Sequence, residues 1–138
     1  MIKKYTTNIY TCDLYVAVNE SVDNILNKFD ICKNNDFYKK SNASAEELEE
    51  WVSASYAVTF PVRNKKTNNI GVLVYIAFKD DITVNHIAHE SVHVADYIFD
   101  FINSNTQSFA DGNEPYAYTV GYVAGCIDNT LKLVNNDI

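Results

Sequence analysis

The segment His89-Glu90-Ser91-Val92-His93 has residue types and a spacing suited to metal chemistry. In a helix, positions i and i+4 project from neighbouring turns, so both imidazoles can reach one tetrahedral ion, for which zinc is the natural occupant. Glu90 precedes His93 by three residues and borders the same ion, yet points far enough aside to leave a ligand position open. A carboxylate so placed can take a proton from a zinc-bound water. Chance alone yields this pattern in on the order of one chain of this length in a few hundred, so its surroundings must support it.

The motif needs an uninterrupted helix. Thr83 is a suitable N-cap, neither Pro nor Gly follows before about Asn103, and the spacing predicts one long helix over that range. At about 100° per residue, Ala88, Ala95, Ile98, Phe99 and Ile102 fall on one side. His86, His89, Glu90, His93, Asp96 and Asp100 fall opposite, which predicts a shared polar face. After a loop from Asn105 to Gly112, a second helix starts near Asn113, with Ala117, Val120, Ala124, Ile127, Leu131 and Val134 as its inward stripe. Gly121 and Gly125 would let the two helices approach closely.

Glu114 stands twenty-one residues after His93, at the start of that last helix. An anion is stabilised there and Pro115 is tolerated in the first turn, so Glu114 is the candidate third ligand, or else a capping or solvent-facing glutamate. Asp96 either accepts a hydrogen bond from a ligand imidazole or stands solvated. His86 shares the polar face and could substitute as a ligand, donate to an oxyanion or simply be exposed, with a non-ligand role favoured. Tyr116, Tyr118 and Tyr122 are candidate donors to an oxyanion, against a background of ten tyrosines for which packing is the default role.

The remaining elements must position this helix pair. Ile9 to Val18 reads as a strand and Ser21 to Cys32 as a helix with Val22, Ile25, Leu26 and Phe29 on one face. Phe37 to Ser44 is unpatterned. Ser44-Ala45-Glu46-Glu47 is a capping pattern that opens a short acidic helix. Ser55 to Arg63 and Ile70 to Lys79 form a hairpin around a polar turn, with Pro61 suited to an edge or a bulge. The order is β, α, short α, β, β, α, α.

Length and composition agree with one domain over residues 1–138. The net charge of −7 comes without a basic stripe, which argues against nucleic-acid binding. No run of about eighteen apolar residues and no apolar leader occurs, so no membrane association and a cytoplasmic location are expected. Cys12, Cys32 and Cys126 are odd in number and lack a CxxC pair, which predicts buried thiols rather than disulfides.

Through His89-Glu90-x-x-His93 and Glu114 the chain resembles the gluzincin branch of zincin metallopeptidases, and less closely the small metallopeptidase-like proteins of phages and mobile elements. The match covers residues 84 to 125. The resemblance implies an α+β fold with a minimal zincin-like core: a small, mostly antiparallel sheet packed on the active helix and a C-terminal helix. It further implies peptide-bond hydrolysis at a zinc ion, a peptide or protein substrate, and an edge strand beside the active helix, a place Ile70 to Phe78 would take. Metzincins fit less well, because no third histidine follows at their spacing and Met1 is the only methionine. Against the resemblance, no second domain to form an opposite cleft wall is expected, which suits either one dedicated protein partner or a protein that needs a partner to complete the site. A binding or regulatory protein that keeps the zincin fold with a structural or vestigial metal site is the alternative.

Overall fold

The structure, a computed structural model, describes residues 1–7, 10–32 and 43–135. Strands β1 (Ile2–Tyr5) and β2 (Asp13–Val18) lead into helix α1 (Val22–Lys28) and strand β3 (Phe29–Ile31). Helix α2 (Ala45–Ser55) precedes the hairpin of β4 (Ala57–Asn64) and β5 (Ile70–Ile76). Helices α3 (Val84–Phe101) and α4 (Glu114–Asn135) complete the chain. The five strands form one mixed sheet in the order β1-β2-β5-β4-β3, parallel between β2 and β5 and antiparallel elsewhere.

The fold is α+β, with helices on both faces of the sheet. Alternation along the central strands sends Leu14, Val16, Val18, Val72, Val74 and Ile76 to one face, where they pack with Val94 and Ile98 of α3 and Val123 and Ile127 of α4. Tyr15, Ala17, Leu73 and Tyr75 go to the other, against Ile25 of α1 and Leu48 and Val52 of α2. With both faces covered, β2 and β5 are near-continuous apolar runs. Cys12, Cys32 and Cys126 are buried free thiols, as expected.

The first strand is shorter than the Ile9 to Val18 expectation, and residues 8–9 lie outside the described set. Ile2–Tyr5 was not anticipated as a strand. It is short, exposes Lys3 and Lys4 and caps the sheet edge, as edge strands commonly do. The helix expected to run to Cys32 ends at Lys28, and Phe29 turns extended. Phe29 and Ile31 satisfy a two-residue period as well as a helical one, and pairing with Asn64 and Val62 decides for the strand. The polar stop after Cys32 and the segment from Phe37 to Asn42 fall outside the described residues.

Ser44 caps α2 as its pattern implied, its hydroxyl accepting from the Glu47 amide at 3.2 Å. The strand expected from Ser55 starts at Ala57, because Tyr56 ends α2 with a φ of 61°. That left-handed value is uncommon for a bulky residue and turns the chain abruptly from helix into strand.

Pro61 accounts for the shape of the sheet edge. Its carbonyl accepts from the Cys32 amide at 2.9 Å, on the β3 side. In an antiparallel ladder a residue's N–H and C=O point to the same side, so the missing donor of Pro61 costs no bond to β5. By the same alternation Ala57 and Thr59 direct their backbone groups to that outer side. Among the described residues β3 reaches only Val62 to Asn64, so this stretch of β4 has no strand beside it.

Candidate functional site

Helix α3 carries the motif as the periodicity predicts. The Nε2 atoms of His89 and His93 lie 3.0 Å apart and their rings meet edge to face. Two nitrogens bound at about 2.0–2.1 Å to a tetrahedral ion would stand about 3.3–3.4 Å apart, so the pair fits one zinc ion with small adjustment. Both histidines face solvent.

Glu90 departs from the expected shared polar face, being only 6% exposed. It sits about 100° round the helix from His89, on the flank that β4 covers. Thr59, on the α3 side of β4, donates from Oγ1 to Oε2 of Glu90 at 2.5 Å. The other oxygen, Oε1, lies 4.0 Å from Nε2 of His89. The buried carboxylate is thus hydrogen-bonded through one oxygen and directed toward the imidazoles through the other. Ala88, expected inside, is exposed, since α3 buries residues from Glu90 onward.

These groups line a cleft of about 330 Å³ that also includes Trp51, Phe60 and Tyr97. Phe60 belongs to the opposite face of the sheet from Thr59, so the cleft wraps around an edge of β4 that no strand covers among the described residues. The substrate-strand position assigned to Ile70 to Phe78 needs correction. Strand β5 is central, between β2 and β4, and β4 is the strand whose edge borders the motif. A larger cavity, about 780 Å³, lies past the ends of β2 and β5 among Glu20, Tyr56, Tyr75 and Phe78, away from the motif.

The other predicted residues are dispersed. Glu114 is exposed on the first turn of α4. Among the described residues no three His, Cys, Asp or Glu side chains are grouped so as to hold a metal ion, so Glu114 is not assembled with the histidines. The two imidazoles therefore fit zinc, and the complete three-ligand set is not preformed. Asp96 accepts at Oδ1 from the Tyr116 hydroxyl at 2.7 Å, linking α3 to α4. His86 accepts at Nδ1 from the Thr83 amide at 3.1 Å and packs against the Tyr56 ring, so it closes the start of α3. Tyr122 donates to the Thr6 carbonyl, and Tyr118 is exposed.

Thr59 and Tyr97 escaped sequence reasoning. Tyr97 follows His93 by four residues and has a detectable helical signal; Thr59 is distant in sequence and has none. Burial pushes the Tyr97 hydroxyl above its ordinary pKa, and the carboxylates of Glu90 and Asp96 add to the rise. Tyr116 is raised to about 12 by burial, then by its bond to Asp96 and the charge it carries. Both side chains stay neutral donors at physiological pH.

The inward face of α4 is also rotated from the expected stripe. Thr119, Val123, Cys126, Ile127 and Thr130 are buried, while Ala117 is exposed. Thr119 and Thr130 can enter the core because their hydroxyls donate to the carbonyls of Pro115 and Cys126, four residues back. Gly121 and Gly125 then face outward, and a Cβ on either would meet nothing within 4 Å, so they do not serve helix approach.

No helix among the described residues is long and apolar enough to cross a membrane. Compared with family models, curated proteins and solved structures, the chain matches none.

Proposed function

We propose that the protein is a zinc-dependent metallopeptidase acting on a peptide or protein substrate in the cytoplasm. The observation that carries this reading is the buried Glu90 carboxylate, whose Oε1 lies 4.0 Å from Nε2 of His89, itself converging on His93. His89 and His93 would hold the metal, with Glu114, from its spacing after His93, as the third ligand. Zinc supplies Lewis acidity, which makes water nucleophilic near neutral pH and polarises a carbonyl. Oε1 of Glu90 takes the proton and returns it to the leaving amine. Among the described residues no strand pairs with the outer side of Ala57 and Thr59, whose backbone donors and acceptors an extended peptide would use.

The second, alternative reading is a zincin-fold protein that binds a dedicated partner with a structural or vestigial metal site. The full-length chain loaded with zinc, and its Glu90→Gln variant, are assayed on labelled casein and a quenched fluorescent peptide library. The peptidase reading expects cleavage by the parent and a loss of about 10²- to 10⁴-fold in the variant at unchanged zinc content. Equal cleavage by both removes Glu90 as the base. A zinc-loaded parent that cleaves nothing supports the second reading.

A further inference from the structure

We propose that Thr59 is a positioning residue for Glu90, so that the reactive oxygen of the site is set from β4 as well as from α3. The inference rests on the peptidase reading for its kinetic consequence and on geometry alone for its structural one.

The helix fixes where Glu90 starts but not where its carboxylate ends, because three side-chain torsions separate the two. Thr59 removes that freedom by holding Oε2 at 2.5 Å, which leaves Oε1 on the His89 side as the oxygen free to receive a proton. The residue type suits the task. Ala57 and Thr59 share the α3 side of β4, while Val58, Phe60 and Val62 pack on the other side. A β-branched residue fits the strand and has a stiff χ1, and Thr adds the hydroxyl a buried carboxylate needs. Valine would fill the same shape and leave Oε2 without that donor. The released carboxylate could then turn both oxygens toward the imidazoles, the position of a ligand rather than of a base.

Thr59 also joins two parts of the site. Its backbone faces the side of β4 on which, among the described residues, no strand lies and a peptide would pair, and its side chain holds the group that would act on that peptide. Substrate and base are thereby referred to one residue.

The test compares the full-length parent with Thr59→Val and Thr59→Ser, each zinc-loaded for kinetics on a quenched fluorescent peptide and metal-free for crystallography. Thr59→Val should lower kcat by about 10- to 100-fold with KM nearly unchanged. Thr59→Ser, which keeps the hydroxyl, should restore most of the rate. In the metal-free crystals the Glu90 carboxylate should be displaced in Thr59→Val and in place in Thr59→Ser. Unchanged kcat and an unmoved carboxylate in Thr59→Val overturn the proposal, as does an equal loss in both variants. Thr59→Ala replaces the valine variant if that one does not fold. If the parent cleaves no peptide, the peptidase reading fails, and the metal-free structures still decide whether Thr59 sets the carboxylate.

Discussion

Nε2 of His89 and Nε2 of His93 face each other at 3.0 Å across one turn of α3. Without a metal, one nitrogen must donate and the other accept; under the metal reading both would become ligands of one zinc ion, which would stabilise the fold by mass action. At free zinc one hundred times the dissociation constant, the gain is about 2.7 kcal/mol. Thermal melts of metal-free protein should therefore rise on zinc addition. His89→Ala and His93→Ala should abolish the rise, and a parent that takes up less than about a tenth of an equivalent of zinc would sink the metal reading.

Glu114 tests how the ligand set is completed. It is exposed in the structure, apart from the histidine pair. If Glu114 is the third ligand, Glu114→Gln lowers zinc affinity by at least about tenfold, measured by competition with a chromophoric chelator. Unchanged affinity excludes it, and the melt without zinc reports any effect on α4 itself.

The glycines divide into two kinds. A Cβ at Gly71 would stand 2.7 Å from Cε2 of Tyr15 and 2.8 Å from the Asp13 carbonyl, where β2 and β5 pair. Backbone cannot move aside cheaply, so Gly71→Ala should destabilise by about 1–3 kcal/mol. Gly121 and Gly125 lie within α4 with open space around them, and alanine there should stabilise by about 0.4–1 kcal/mol each. Urea titrations read both directions; destabilisation by Gly121→Ala would mean that this face of α4 is covered.

Alkaline pH should weaken the fold. The Tyr116 hydroxyl and the Cys12 thiol are both pushed up to about 12, from ordinary values of 10.0 and 9.0. Burial is the main cause for each, and burial also raises Tyr15, Tyr75 and Tyr97. The folded state therefore keeps these protons more tightly than the unfolded chain. The associated stability is complete below the ordinary values and is lost as pH rises through them toward about 12. Urea midpoints should fall across that window. Tyr116→Phe should flatten part of the fall and, at neutral pH, lose the Asp96 hydrogen bond at a cost of about 0.5–1 kcal/mol. A midpoint independent of pH up to 11.5 would contradict the assignment.

Much of the helical structure was legible in local sequence. Thr83 to Asn103 carries its own start signal and periodicity, and α3 runs from Val84 to Phe101. The Ser44 pattern and the hairpin turn were equally local. The errors came where two periods overlapped or polar residues satisfied themselves. Phe29 and Ile31 suited helix and strand alike until β4 chose, and Thr119 and Thr130, outside the expected stripe of α4, are buried because their hydroxyls turn back on their own helix.

The sequence by itself determined the two-histidine platform, because helix geometry makes i and i+4 neighbours whatever surrounds them. It also set the near-continuous apolar runs of β2 and β5 and the burial of the three thiols. Only tertiary structure decided which strand borders the motif, that Glu90 is buried rather than wet, and that Thr59 is its partner. Those facts depend on the parallel pairing of β2 with β5 and the packing of α3 over β4, contacts between segments dozens of residues apart. No local period encodes them, since they follow from the joint burial of several apolar faces in one sheet.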